Sequence, residues 1–204
     1  VQYRMVANHG VPDKTRRVAK MLQDKENLHF ADIAAVKKDP AEVRRFFKAF
    51  NDSFSDVYGF VPLDDKEIED EAKRMLPYLS DRSSCMLLDG NGEIVAFGIS
   101  FPSISGALQK AKGSLFPFGW IHILKAKHDY ETTDLMVNGA VRKWQNTGVS
   151  AVYYKEMGDK AIRIGNRWAI SNPQLESDSA ANIWNCYEHE PYMRRRCYIK
   201  NIED

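Results

Sequence analysis

The chain has 204 residues, of which 44% are hydrophobic and 28% are charged, and these values are typical of a globular domain with a sizeable core. Its 29 lysines and arginines nearly balance its 28 aspartates and glutamates, so the net charge argues against nucleic acid and an anionic membrane as partners. No apolar run approaches the roughly 20 residues of a membrane span, and the first residues lack the apolar centre of a signal peptide. We therefore expect a cytoplasmic protein with neither a nucleic-acid nor a membrane partner.

The three cysteines, Cys85, Cys186 and Cys197, are far apart in the sequence and odd in number. Their spacing matches no metal-ligand pattern, so we expect no metal and a reducing compartment. The chain begins at Val1 rather than at a methionine, which suggests a longer protein with an upstream segment or domain.

The first half of the chain alternates strand and helix signals. Residues 1–8 are predicted as a short strand and residues 13–22 as a basic helix, and we separate residues 1–26, as a lead-in segment, from a main domain at 27–204. Alternating apolar residues predict a strand at 28–34. Asp39 and Pro40 then provide an N-cap and a first helical residue for a helix with a Phe-rich face.

The middle of the chain predicts a second helix, a hairpin and a long strand. Asp64 and the acidic residues after it predict the start of a helix that runs to about residue 76 or 79. Residues 85–88 and 93–101 are predicted strands, because Asp89-Gly90-Asn91-Gly92 between them tolerates the positive φ of a tight turn. Helices at 102–112 and 121–125 and a strand at 132–141 follow.

The last part of the chain completes a mixed α/β pattern. A helix is predicted at 149–160, a buried strand at 167–171, a helix at 177–188 and a final strand at 193–200. This order of elements predicts a mixed sheet with helices on both of its faces.

The most informative motif lies where the strand at 132–141 gives way to the following helix. Gln145, Gly148 and Ser150 stand in a turn of small and polar residues directly before the helix. Such a turn leaves consecutive backbone N–H groups free beside a helix N-terminus, an arrangement that binds phosphate without a basic side chain. An ordinary loop before a helix that starts with small residues also explains the string and is the more frequent case, so the motif alone does not establish a phosphate site.

With its neighbours, this motif resembles the acetyl-CoA motif of the GNAT superfamily of acyl-CoA-dependent N-acyltransferases. That motif is Arg or Gln, two residues, Gly, one residue, then Gly or Ala, and here it reads Gln145-Asn146-Thr147-Gly148-Val149-Ser150. Further segments are similar to an uncharacterised bacterial GNAT subfamily in which this is the C-terminal domain: residues 50–54, 59–62, 101–105, 107–108 and 115–119. The resemblance implies a mostly antiparallel central sheet flanked by helices.

The resemblance also implies where acetyl-CoA, or another acyl-CoA, would bind as cosubstrate. Ala140 and Val141, at the end of the strand, would lie beside the pantetheine arm, and a backbone N–H there would polarise the thioester carbonyl. The pyrophosphate would be held by the backbone amides of Asn146, Thr147, Gly148, Val149 and Ser150.

Candidate catalytic residues follow from the same resemblance. Tyr187 is the candidate acid for the departing thiolate, because residues 182–188 resemble a GNAT helix that ends in Tyr-Glu. Asp134 and Glu131 are candidate bases, acting directly or through water. Each has a plain alternative: a tyrosine whose ring packs in the core, and strand carboxylates that are simply solvated.

Two functions therefore compete. The first is an N-acyltransferase that acts on a small-molecule or peptide amine. The second is a non-catalytic acyl-CoA-binding or structural domain, which is favoured by the absence of the family's proline and tyrosine before Gln145. A nucleic-acid site at residues 194–196 is weaker, since the three arginines alternate along an expected strand. The oligomeric state, a homodimer included, is left open.

Overall fold

The computed structural model describes residues 1–176, 186–198 and 200. The helices are α1 (Asp13–Glu26), α2 (Ile33–Val36), α3 (Pro40–Phe54), α4 (Asp65–Met75), α5 (Ser105–Lys110), α6 (Gly119–Ala126) and α7 (Ser150–Arg163). The strands are β1 (Gln2–Val6), β2 (His29–Phe30), β3 (Cys85–Leu88), β4 (Ile94–Pro102), β5 (Thr132–Ala140), β6 (Trp168–Ile170) and β7 (His189–Met193).

The strands form one sheet in the order β2-β3-β4-β5-β6-β1-β7. Every neighbouring pair is antiparallel except β5 and β6, which are parallel. A parallel pair needs a crossover connection, and α7 provides it. The predicted mixed, mostly antiparallel sheet is confirmed.

Helices cover both faces of the sheet and enclose two apolar cores. On one face, α1 and α7 pack over residues that include Leu87 and Val95. On the other face, α3 and α4 pack over Phe97 and Ile99, which are completely buried. Ala96 faces the first core and Phe97 the second, while the register shift between β3 and β4 places Val95 on the first face together with Ala96.

Local sequence signals determine where the helices α3 and α4 begin. The carboxylate of Asp39 accepts a hydrogen bond from Ala41 N at 2.8 Å. Asp64 accepts from Glu67 N at 2.8 Å, while the Glu67 carboxylate accepts from Asp64 N at 2.9 Å, which completes a capping box. Both predicted helix starts are confirmed.

Three predicted elements need correction or lie outside the described chain. The strand at 28–34 is wrong beyond His29–Phe30, because the Asp32 carboxylate caps α2 through Ala34 N and Ala35 N and turns the chain. The last strand is His189–Met193 rather than 193–200, since it is these residues that pair with β1. The helix expected at 177–188 falls mostly on residues 177–185, outside the described residues.

The lead-in segment, residues 1–26, is built into the same sheet rather than set apart from it. β1 lies between β6 and β7, and α1 packs against α7 with an Arg16–Asp159 ion pair at 2.7 Å. The expected division at residue 26 therefore does not coincide with a boundary in the fold.

Within the described ranges, no helix is both long enough and apolar enough to cross a bilayer.

Candidate functional site

The site begins where the pairing of β5 with β6 ends. These strands pair only over Thr132–Asp134, opposite Trp168–Ile170. Just beyond, the register of β5 with β4 shifts, since Ser100 pairs with Leu135 but Ile99 pairs with Val137. Met136 is therefore the extra residue of a β-bulge, which bends a strand and increases its twist. Because β6 ends at Ile170, no described strand lies beside this edge of β5 from Leu135 onward, and we call this open edge the wedge.

Backbone groups of β5 point into this wedge. Val141 N donates to Val95 O at 3.0 Å, so its N–H faces β4. Because antiparallel residues alternate in direction, the N–H groups of Ala140 and Asn138 face the opposite, unpaired edge. Of the two residues that the sequence predicts beside the thioester, Ala140 has its N–H directed into the wedge, whereas that of Val141 is already used.

The turn after β5 is held firmly to the end of α3. Arg142 N donates to the Asp52 carboxylate at 2.8 Å, and the Arg142 guanidinium pairs with Asp56. Gln145 Nε2 donates to Ser53 O at 3.0 Å and to Ala140 O at 3.1 Å. The side chain of Gln145 thus fixes the turn rather than reaching toward a ligand.

The five residues after Gln145 form a backbone cradle, which we define as residues 146–150. Within the described residues, none of their N–H groups has an acceptor at hydrogen-bonding geometry. Asn146 and Gly148 have positive φ values of 60° and 86°, and α7 starts after Val149 without a side-chain cap. Free donors at an uncapped helix N-terminus fit an anion such as a pyrophosphate.

The α1 helix forms one wall beside the cradle. A Cβ placed on Gly148 would lie 3.5 Å from Leu22 Cδ1 and 3.7 Å from Val18 Cγ1. A larger side chain there would therefore press on α1 as well as adopt an unfavourable φ. Residues of the lead-in segment thus shape the site directly.

Tyr187 lies beside a cavity of about 50 Å³ between the sheet and α7. Burial raises the pKa of Tyr187 well above its ordinary value, although the side chain of Thr15 lowers it in part. The phenol therefore stays protonated at neutral pH, as a proton donor requires. Tyr154 lines the same cavity, and burial raises the pKa of its hydroxyl, which the side chain of Asn138 on β5 lowers in part.

The two candidate bases lie apart from Tyr187. Thr133 and Leu135 face the cavity beside Tyr187, so Asp134 between them faces the other side of the sheet. Burial raises the pKa of Asp134, although a hydrogen bond from Ser103 lowers it in part. Glu131 is exposed and lines a separate polar groove of about 530 Å³. The structure therefore does not bring the predicted acid and bases together in one pocket.

The sequence analysis missed Asn138 and Tyr154. The Oδ1 atom of Asn138 is buried and has no hydrogen-bond partner among the described residues, on the strand whose backbone edge is open. Asn138 directly follows the apolar residues 135–137 of β5, which is a signal that the sequence does carry. The proximity of Asn138 to Tyr154 depends on how α7 packs against the sheet, which the sequence pattern does not predict.

Among the described residues, no group of three metal-binding side chains occurs.

Solved structures define the class of this fold. A GCN5-related glucosamine N-acetyltransferase region of a fungal GH3 β-N-acetylglucosaminidase superimposes on 94% of this chain and 19% of that one, with a TM-score of 0.56 and 10% identity. A GCN5-related N-acetyltransferase from Sphaerobacter thermophilus matches 87% of this chain and 43% of that one, at 0.52 and 10%. The chain therefore has the GNAT fold, as the resemblance of its sequence predicts.

Two curated proteins are similar to this chain in sequence. A protein named bacterial ceramide synthase, from Caulobacter vibrioides, is 29% identical over 138 residues, which are 64% of this chain and 35% of that protein. Protein YghO from Escherichia coli is 30% identical over 170 residues, which are 79% of this chain and 43% of that protein. The chain thus spans less than half the length of these relatives, and no family model matches it.

Proposed function

We propose that this chain is an acyl-CoA-dependent N-acyltransferase domain. The observation that carries the proposal is the cradle: within the described part of the chain, five consecutive backbone N–H groups have no acceptor at the N-terminus of α7, one short turn after the end of β5. The amides of residues 146–150 and the dipole of α7 would bind the pyrophosphate. The wedge beside β5 would then take the pantetheine arm.

The residues of the wedge supply the means for acyl transfer. The N–H of Ala140, with that of Asn138 two residues earlier, is a donor for the thioester oxygen as negative charge develops on it. The amine nitrogen forms the new bond to the acyl carbon, the C–S bond breaks, and Tyr187 donates its proton to the departing thiolate. The proton lost by the amine passes to solvent, since Asp134 faces the other side of the sheet.

We infer a long-chain amine as the acceptor class. Ceramide is the amide of a long-chain amino alcohol, and the relative from Caulobacter vibrioides is named as the enzyme that makes it. The same reasoning favours an acyl donor longer than acetyl. The earlier expectation of a peptide acceptor has no comparable support.

The second candidate is a domain that binds acyl-CoA without turnover. The separation of Tyr187 from Asp134 and Glu131 favours it, because no candidate carboxylate lines the cavity that Tyr187 occupies. An upstream domain and a homodimer also stay proposals, and either could complete such a site.

The test is release of free CoA thiol, measured with acetyl-CoA and palmitoyl-CoA against sphinganine, spermidine and a short peptide. We expect turnover with sphinganine that depends on both substrates and yields an amide detectable by mass spectrometry. Saturable acyl-CoA binding without amide formation, by this chain and by its longer relatives alike, would support the non-catalytic candidate instead.

A further inference from the structure

Residues 103–128, here called the basic apolar segment, carry an unusual surface. The segment includes α5, α6 and the turn between them, and six of its large apolar side chains are exposed. These are Leu108, Leu115, Phe116, Phe118, Trp120 and Leu124. Phe116 and Phe118 are 85% and 69% exposed, and a contiguous set of this kind marks an interaction surface.

The tip of this segment is preformed. Trp120 Nε1 donates to Pro117 O at 3.0 Å, and Ser114 Oγ donates to Phe116 O at 2.9 Å. The chain also closes tightly at Gly119, where a Cβ would lie 1.9 Å from Ser114 O. The phenylalanines are therefore presented outward by a hydrogen-bonded turn, and the surface needs no ordering before it binds.

The charged side chains of the basic apolar segment are all positive. Residues 103–128 contain four lysines and two histidines but no aspartate or glutamate. Among the described residues, Lys110, Lys112 and Lys125 form no ion pair, while Lys127 lies over the Tyr78 ring at 4.4 Å. A chain whose overall charge is only +1 thus concentrates free positive charge around its exposed apolar tip.

We propose that the basic apolar segment docks on the surface of an anionic phospholipid bilayer. Aromatic and aliphatic side chains enter the boundary between headgroups and acyl chains, while lysines at the rim meet anionic headgroups. A second copy of this chain is a poorer occupant, because two such segments would bring like charges together. This proposal replaces the expectation of no membrane partner, which rested on the balanced net charge and on the lack of an apolar run long enough to span a membrane.

The inner side of the segment adds a functional consequence. Lys110, His122 and Lys125 line the polar groove that also contains Glu131 and Thr132, at the start of β5. Docking would hold this groove close to the bilayer, where long-chain amines reside. The docking itself does not depend on the proposed acyl transfer, so either can fail without the other.

The experiment is co-sedimentation of the 204-residue chain with vesicles of phosphatidylcholine alone and of phosphatidylcholine mixed with phosphatidylglycerol. We expect clear binding only to the mixed vesicles, and weaker binding as salt rises. Phe116→Ser/Phe118→Ser and Lys112→Glu/Lys125→Glu should each lower the partition coefficient by about tenfold or more. Matched control doubles elsewhere on the surface, Tyr58→Ser/Val61→Ser and Lys48→Glu/Lys66→Glu, should bind as the parent chain does.

Two results would overturn the proposal. One is an absence of binding to either vesicle by the parent chain, with circular dichroism showing that it is folded. The other is sedimentation velocity in which the parent chain is a dimer and Phe116→Ser/Phe118→Ser is a monomer, since the segment would then be an interface between copies.

Discussion

Gln145 Nε2 donates to the backbone oxygen of Ala140 at 3.1 Å, and its second hydrogen bond, to Ser53 O, joins the same turn to the end of α3. The residue that opens the acetyl-CoA motif thus holds the strand end and the cradle in a fixed relation. The side chain of Gln145 therefore shapes the turn, and the backbone N–H groups of residues 146–150 are the donors available to a ligand. A glutamine serves here because an amide nitrogen provides two N–H donors for two carbonyl oxygens.

Replacing Gln145 should weaken both the fold and the cradle. In Gln145→Leu the two carbonyl oxygens lose their donor, which should lower the free energy of unfolding by about 1–2 kcal/mol. Gln145→Glu should cost more, since a carboxylate would face both oxygens. Urea denaturation measures the difference, with the exposed Gln109→Glu as control. Equal stability of all three variants would mean that these two hydrogen bonds do not hold the turn.

Tyr187→Phe tests the proposed proton donor. Because burial raises the pKa of the Tyr187 hydroxyl, it should remain protonated across the neutral range. The variant should then lose about 10- to 100-fold in kcat with little change in the KM for acyl-CoA. Steady-state kinetics compare it with Tyr198→Phe, an exposed site. An unchanged kcat would remove Tyr187 from the mechanism, while a raised KM would indicate a binding role.

Cys85 should be chemically inert. Burial raises the pKa of its thiol to about 12, whereas Cys186 and Cys197 are free and exposed. Ellman's reagent at pH 8 should therefore react quickly with two thiols of the native chain and with the third only after denaturation. Mass spectrometry identifies the labelled positions, and rapid native labelling of Cys85 would contradict its placement under α7.

The Arg16–Asp159 ion pair between α1 and α7 should make the free energy of unfolding depend on pH. Burial alone would raise the pKa of Asp159, but hydrogen bonds from Arg16 and Lys155 outweigh it and the pKa is lowered. A depressed pKa stabilises the fold above the unfolded value of about 3.9, and this contribution is lost as the pH falls through the folded value. Asp159→Asn should thus cost about 1 kcal/mol at neutral pH and progressively less below about pH 4.

The control for this ion pair is Asp24→Asn on the surface of α1. Asp24 pairs with Lys20 in solvent, so its loss should change the free energy of unfolding by about 0.3 kcal/mol. Chemical denaturation at several pH values compares the two variants. A cost for Asp159→Asn that stays constant into strong acid would show that its carboxylate is not the stabilising group.

Much of the fold could be predicted because the deciding signals are local. Asp89 accepts from Asn91 N and Glu93 N within the hairpin turn, and Asp39 and Asp64 cap the helices that follow them. Each depends on residues within four positions of one another, so short sequence patterns suffice. The strand at 28–34 failed because Asp32 capped a helix that the apolar alternation concealed.

The site was harder to predict because distant segments meet there. Thr15 reaches Tyr187, and β1 lies between β6 and β7, contacts that no short pattern specifies. The placement of Asp134 away from Tyr187 depends on which face of β5 each residue meets. The basic apolar segment was missed for a different reason. Net charge is a sum over the whole chain, and acidic residues elsewhere cancel the lysines of this segment.

The central claim is that residues 146–150 bind the phosphates of acyl-CoA through backbone N–H groups. Isothermal titration calorimetry with CoA tests it on the parent chain, Gly148→Ala and Gly165→Ala. Both glycines have positive φ, 86° and 71°, so the two variants carry a comparable backbone strain but only one distorts the cradle. The account predicts saturable binding by the parent chain and by Gly165→Ala and a loss of about tenfold or more in affinity for Gly148→Ala. Equal affinity of all three for CoA, or no binding by the folded parent chain, would contradict it.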